Sequence, residues 1–398
     1  LFIEKLKKDC KFARVKFEGH LNNKLPNIGN SVFSVMTNLA NQHNAINLAQ
    51  GFPDFDCSDE LKKLVNDAIQ NGYNQYAPMP GLMSLREKIA EKTEYLYSAT
   101  YNPDTEITIV PGATAGIYTA IQALIKENDE VIIIEPAYDC YIPAVELAGG
   151  KAIVYEMLFP EYKIDWEQLK KLFTIRTKLI IINTPHNPSG AILSAEDMRK
   201  LEKLINGTDA LVMSDEVYEH IIFDGFEHQS VARYPHLAQR SIIVSSFGKT
   251  YHTTGWKMGY LLAPENITAQ IRKVYQFLSF SANTPIQHAY STILNTPSYY
   301  LELSHFYQQK RDLFRAGLKN SSFKLLDCSG SYFQSVVYDK LSDKGDFEMA
   351  QTLISEHKVA SIPVSAFYKR KTDHHVLRFC FAKKEDTLNK ALDILCKL

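Results

Sequence analysis

The 398-residue sequence predicts an α/β protein, a large doubly wound domain around a mostly parallel sheet with a smaller α+β domain beside it. Two patterns predict this. Between about residues 106 and 263, short apolar runs alternate with amphipathic stretches, and several runs are apolar throughout, as strands covered on both faces are. After about 286 the alternation loosens into a long helix and short alternating strands. A third observation concerns chemistry. Residues of reactive or ligand-binding type stand where the apolar runs end, the edge at which open α/β sheets hold ligands.

Size and composition narrow the function classes. The length suits one large and one smaller domain. Hydrophobic residues make up 45% and charged residues 22%, with a net charge of −1, which argues against a nucleic-acid or other polyanionic partner. The six cysteines (Cys10, Cys57, Cys140, Cys328, Cys380 and Cys396) include no Cys-x-x-Cys pair. That suggests reduced thiols in a cytoplasmic enzyme, neither a disulfide framework nor a zinc site. No apolar run approaches a membrane span. Residues 1–25 are lysine-rich without a signal-peptide core and are expected to form a peripheral tail.

The folded part is expected to open with a short helix over Ser31–Leu39, whose Val32, Val35, Met36 and Leu39 share one face. Gly51 and Pro53 then break regular structure. Gly51 is either a plain turn glycine or a place where backbone approaches a ligand. Ser58 is a plausible N-cap for a helix to residue 71, and Leu82–Tyr97 forms a second helix after the loop carrying Tyr76. Strands follow at Ile107–Val110, Val131–Ile134, Leu179–Ile182, Leu211–Met213, Ile242–Val244 and Leu261–Leu262. The remainder is expected to contain a long helix from Tyr290 to Leu318, strands at Ser331–Val337 and Val376–Phe381, and closing helices. The expected division is 26–51 and 286–398 for the small domain and 52–285 for the large one.

Each strand end carries a candidate. Gly112-Ala113-Thr114 opens a helix whose free N–H groups and dipole suit a phosphate. Tyr138 is either an aromatic plate for a flat ring or simply a half-buried tyrosine. Asn187 sits in a turn stiffened by Pro185, Pro188 and Gly190. Asp215 ends an apolar run, so its carboxylate needs a cationic partner, and Tyr218 stands three residues on. Ser246, Lys249 and Lys257 share the loop after Ile242–Val244, and a partly dehydrated lysine there becomes a nucleophile near neutral pH. Gly248-Lys249-Thr250 is not the end of a P-loop, because Ile243 stands where that motif needs glycine. Arg378 lies in an alternating strand, pointing either inward to a carboxylate or outward to water. His186 and His220 lack ligand spacing, so no metal site is expected. A phosphate cup, an aromatic plate, an Asn/Tyr pair, a buried Asp and a loop lysine on one sheet edge together fit one cofactor, pyridoxal 5'-phosphate (PLP).

The stretches QGFPDF, EPAYDCY, NTPHNPSG, SDEVYEHIIFDG and SSFGKTYHTTGWKMGY resemble fold-type I PLP enzymes, specifically class I aminotransferases of the methionine, kynurenine and glutamine–phenylpyruvate branch. The resemblance runs from about Pro26 to the C-terminus and implies a seven-stranded large sheet. It implies that Lys249 forms the internal aldimine and shuttles the proton between Cα and the cofactor. Asp215 would keep the pyridine nitrogen protonated, and Asn187 and Tyr218 would hydrogen-bond the ring oxygen. Tyr138 would stack on the ring. Gly112, Ala113, Thr114, Ser246 and Lys257 would hold the phosphate, joined by Tyr76 from the neighbouring subunit of a homodimer. Arg378, Gly51 and Asn187 would bind the substrate α-carboxylate, with Ile28 and Phe33 also at the substrate. The second arginine of aspartate-specific relatives has no counterpart around Ser279–Pro285. Phe33, Tyr138, Tyr141 and Phe280 are expected near the substrate side chain, which favours methionine, glutamine or aromatic amino acids as donors, kynurenine among them, and a 2-oxo acid as acceptor. The same residues would serve a cysteine-conjugate C–S β-lyase. A non-catalytic sensor domain would need a helix-turn-helix module for which residues 1–30 are too short.

Overall fold

Alternate residues of the central strands feed two different cores. Ile132, Ile134, Ile180, Ile182, Val212 and Ile243 join one; Val131, Ile133, Leu179, Ile181, Met213 and Val244 join the other. A sheet buried on both faces follows, which is why these runs are continuously apolar. The computed structural model describes residues 16–17 and 19–398; most of the expected tail, including Cys10, lies outside them. The chain first lays down a short strand, β1 (Ile46–Asn47). The large sheet then comprises β2 (Ile107–Val110), β3 (Glu130–Glu135), β4 (Lys151–Glu156), β5 (Thr177–Asn183), β6 (Leu211–Asp215), β7 (Ser241–Ser246) and β8 (Gly259–Leu262). Their order is β2-β8-β7-β6-β5-β3-β4, and β8 alone runs antiparallel to its neighbours.

One face is covered by the helices Ala113–Leu124, Tyr141–Leu147 and Glu265–Leu278, the other by Asp59–Gln70, Met83–Tyr97, Ala195–Ile205 and Thr284–Ile293. The predicted caps and faces operate. Ser58 accepts from the Leu61 N–H, and Leu61 and Ala68 are buried.

A third core, including Met36, Leu48, Phe314, Leu318, Phe379 and Leu388, holds the smaller unit together. Its strands are β9 (Lys324–Leu325), β10 (Phe333–Val337), β11 (Val359–Ala360), β12 (Ile362–Pro363) and β13 (Val376–Cys380). Four form an antiparallel sheet in the order β12-β13-β10-β9, while β11 pairs in parallel with β1, joining the N-terminal segment to the C-terminal third. The expected single helix from Tyr290 to Leu318 is instead three, Thr284–Ile293, Ser298–Leu301 and Leu303–Leu318. Pro297 lacks the N–H that would continue the first of them. That first helix packs on Asp59–Gln70 and Met83–Tyr97, so a boundary at 286 cuts through an element of the large layer; we place the division within 294–302.

Beneath the loop that follows β7, Glu219 gathers four donors. Lys92 Nζ lies at 2.7 Å, Tyr97 Oη at 2.5 Å, Ser245 Oγ at 2.6 Å and Tyr260 Oη at 3.1 Å. Burial alone would raise the Glu219 pKa, but the Lys92 charge and these hydrogen bonds hold it well below the usual carboxylate range. Lys92→Met should strand that carboxylate and cost about 3–5 kcal/mol, read as a lower urea midpoint at neutral pH. The depressed pKa places the pair's contribution above the ordinary carboxylate range. The gap between wild type and variant should therefore narrow as pH falls and Glu219 takes up a proton.

Candidate active site

The C-terminal ends of β2, β5, β6 and β7 open into one cavity of about 310 Å³. After β2, Gly112 adopts φ +88°, a left-handed conformation that favours glycine, and turns the chain into the helix Ala113–Leu124. No side chain caps this helix, so its first N–H groups face the cavity as anion donors. Lys257, itself at φ +54°, brings its amine beside Gly112. Ser246, at the end of β7, lines the same corner.

Asp215 closes β6 at the cavity floor. Burial pushes its carboxyl up to about 6, against hydrogen bonds that favour the charge: Tyr141 Oη donates at 2.5 Å and Val217 N–H at 3.3 Å. Tyr138 lines the wall, edge-on to Tyr141 with centroids 5.9 Å apart. Asn183, ending β5, donates to the Asp215 carbonyl at 2.9 Å and accepts the Asn187 N–H at 2.8 Å, which holds Asn187 over the cavity.

Arg378 points inward from β13 and is fully buried. Its Nη1 donates to Asn187 Oδ1 at 2.7 Å and Nη2 to the Ala49 carbonyl at 3.0 Å; among the described residues Nε has no partner. Phe333 lies 3.8 Å from the guanidinium, with Phe367 and Phe33 at 5.2 and 5.4 Å. Burial pulls its pKa down to about 10. A buried guanidinium with aromatic walls and no carboxylate of its own is a receptor for one. Because Arg378 occupies the Asn187 carbonyl oxygen, the Asn187 NH₂ is left as the donor toward the cavity.

Lys249 stands at the centre. Its Nζ donates to Tyr332 Oη at 3.0 Å, lies 3.4 Å from the Gly51 carbonyl and sits 5.5 Å above the Tyr218 ring. Gly51 needs its missing side chain, because a Cβ would come within 2.8 Å of Phe333.

The predicted site residues Gly51, Phe33, Gly112, Ala113, Thr114, Tyr138, Asn187, Asp215, Tyr218, Ser246, Lys249, Lys257 and Arg378 all line this cavity. Three expectations are corrected in placement. Ile28 is exposed and off the lining, its N–H held in a surface turn by the Leu25 carbonyl. Tyr141 is buried under Asp215 and does not face a substrate side chain. Phe280, at φ +66°, is turned outward. Tyr76, expected at the neighbouring subunit's site, is 82% exposed and packs edge-on against Phe280 outside the chain's own cavity. Tyr332 and Phe333 were not legible as site residues; the only sequence signal is the Ser329-Gly330-Ser331 turn before an apolar strand.

Comparisons with known proteins agree with this geometry. Residues 43–395 match the family model described as aminotransferase class I and II. The chain is 47% identical to methionine aminotransferase of Escherichia coli, over 94% of this chain and 97% of that one. It is 36% identical to kynurenine–oxoglutarate transaminase of Dictyostelium discoideum, covering 93% and 94%. A solved Escherichia coli structure assigned a methionine aminotransferase function superimposes with a TM-score of 0.94 at 46% identity, covering 95% of this chain and all of that one. N-succinyldiaminopimelate aminotransferase of Mycobacterium tuberculosis gives 0.91 at 34%, again covering 95% and 100%. A lysine, an aspartate and an unpaired arginine converging at the strand ends are thus found in a chain that belongs to the class I and II aminotransferases.

Proposed function

We propose that this aminotransferase is PLP-dependent and moves the amino group of methionine, glutamine or an aromatic amino acid, with kynurenine a further donor, to a 2-oxo acid. The observation that carries the reading is Arg378, a buried cation without a carboxylate, opening on the cavity that holds the Lys249 amine. The 47% identity to a methionine aminotransferase supports the donor class. So does the count of cations on the cavity lining, Lys249, Lys257 and Arg378, which leaves none for a side-chain carboxylate.

The residues present fit the cofactor. Gly112–Thr114, Ser246 and Lys257 would hold its phosphate, Tyr138 would face its ring, and the Asn187 NH₂ and Tyr218 hydroxyl would meet its ring oxygen. When bound, the cofactor supplies an acceptor for the electron pair released at the donor's Cα. Asp215, short of a cation, would hold a proton on the ring nitrogen. Arg378 binds the α-carboxylate with Nε and Nη and so orients the Cα–H bond. Lys249 carries the proton. Both steps proceed in each half of a ping-pong cycle.

Tyr76 packs edge-on against exposed Phe280, and Phe277 and Leu278 just before it in the chain are exposed too, which suits an apolar contact with a second copy. We assign it to a homodimer in which Tyr76 reaches the neighbour's phosphate cup, and we place the enzyme in the cytoplasm.

Burial pulls the Lys249 ammonium down to about 8, with Arg378 and Lys257 pushing the same way. In the cofactor-free chain, cyanate labelling of Lys249 followed by mass spectrometry should rise with pH through a midpoint near 8, well below that of surface lysines. A midpoint near the ordinary lysine value would contradict it.

Donor choice is tested by offering methionine, phenylalanine, kynurenine, glutamine and aspartate separately to the loaded enzyme. Methionine and the aromatic donors should yield 2-oxo acids at least about tenfold faster than aspartate, and Lys249→Ala should abolish turnover. Pyruvate and ammonia released from a cysteine conjugate, in place of amino transfer, would favour the lyase instead.

Mixed dimers test the shared site. Lys249→Ala and Tyr76→Ala subunits, refolded together at limiting cofactor, should recover up to about a quarter of wild-type activity, since a hybrid has one intact site. No gain over either parent would place Tyr76 outside the neighbour's site.

A further inference from the structure

Tyr332 enters the site from the small domain, in the turn before β10, with its ring fully buried. Its hydroxyl accepts an N–H from Lys249 at 3.0 Å and donates its own proton to the Gly51 carbonyl. The ring stands edge-on to Tyr218 with centroids 5.1 Å apart. The next residue, Phe333, lies under the Arg378 guanidinium. Two adjacent side chains at the head of β10 therefore support the lysine and the arginine.

A phenol can meet an amine in two ways. It can donate to the nitrogen lone pair, which occupies the electrons a base needs, or it can accept an N–H and leave the lone pair free. The Gly51 carbonyl takes the Tyr332 proton and so selects the second arrangement. Gly51 itself lies close against Phe333, whose ring a Cβ there would meet at 2.8 Å. We propose that Tyr332 is a catalytic residue of amino transfer: its oxygen holds one Lys249 N–H, so that the amine lone pair faces the cavity and takes the proton from the donor's Cα. The proposal rests on the reading of Lys249 as proton carrier. In the step, the lone pair would form a new N–H bond as the Cα–H bond breaks, the released electron pair being left to the acceptor that the cofactor would supply, and the ammonium would then return the proton.

The charges of Asp215, Arg378, Lys257 and Cys380 act on Lys249, whose amine lies 5.5 Å from both the Tyr218 and Tyr332 rings. Against that background the Tyr332 oxygen favours the charged amine, since an ammonium is the stronger donor. Losing the oxygen should therefore lower the Lys249 pKa and weaken it as a base.

The test is Tyr332→Phe, which keeps the ring and removes only the hydroxyl. With methionine and α-deuterated methionine, kcat should fall about three- to tenfold, the α-deuterium isotope effect should rise, and KM should stay within about twofold. In the cofactor-free full-length chain, the midpoint of Lys249 labelling by cyanate should move to lower pH. A ring-fluorinated tyrosine at position 332, of nearly unchanged shape but with a poorer acceptor oxygen, should lower kcat in the same direction, which covers a Tyr332→Phe chain that folds badly. A raised KM with unchanged kcat would make the hydroxyl mere packing beneath the carboxylate receptor and overturn the proposal. So would an unchanged labelling midpoint. Lys249→Ala, measured in parallel, separates the two readings: if that variant still turns over, the assignment of Lys249 falls and the role of Tyr332 with it.

Discussion

Holding charge out of water is the constraint on which the rest of the structure depends. Asp215, Lys249 and Arg378 are ionisable groups taken into one cavity, and burial moves each toward its neutral form. Among the described residues none is paired off by a close salt bridge of the kind that binds Lys92 to Glu219. Arg378 receives two neutral oxygens and three aromatic faces; Asp215 receives a phenol and a peptide N–H. Neutral partners lower the cost of burial without cancelling the charge, so each group remains available to a ligand of opposite sign. Glu219 shows the contrast, fully satisfied and committed to structure.

The two units of the fold divide the work along the same line. The large sheet supplies the cup, the aspartate and the lysine from its strand ends. The small unit supplies Arg378 from β13, Phe333 from β10 and Tyr332 from the turn just before β10; the two strands pair antiparallel so that Ser335 lies opposite Arg378. Gly51, carried by the segment after β1, lies between them and touches both Tyr332 and Phe333. Arg378 therefore belongs to one unit and Lys249 to the other, and the contact of Lys249 with Tyr332 spans the seam.

Most of the large domain was legible because its strands are buried on both faces, so Ile132–Ile134 and Ile180–Ile182 read as unbroken apolar runs. β4 did not announce itself: it is an edge strand whose Lys151 is exposed and whose Ala152, Ile153 and Val154 are only partly covered. The two-residue strands β1, β9, β11 and β12 are too short for any periodicity. Within the site, Asp215 was visible as a charged residue ending an apolar run and Lys249 as a lysine on the polar loop that follows one. Tyr332 was not, because a tyrosine at the head of an apolar strand is indistinguishable from core until its hydroxyl partners are known. Tyr141 and Phe280 failed differently. Their position along the chain was near the site, but one side chain turned under the floor and the other to the surface.

The single reversed strand explains how one loop carries both Lys249 and Lys257. In a wholly parallel sheet, the chain leaving β7 at the ligand edge would have to cross to the far edge before its next strand began. Because β8 runs antiparallel, Ser246 and Gly259 are register partners, and residues 247–258 begin and end at the cavity. Ser246 and Lys257 thus flank the Gly112–Thr114 turn from the two ends of that loop, with Lys249 between them. The arrangement requires β8 to pass against the cup itself. Gly259 permits this, since a Cβ there would lie 2.6 Å from the Ser245 carbonyl oxygen and 3.0 Å from the Ala113 nitrogen. The glycine at the head of β8 is therefore as much a condition of the site as the lysines, although it contributes no functional group.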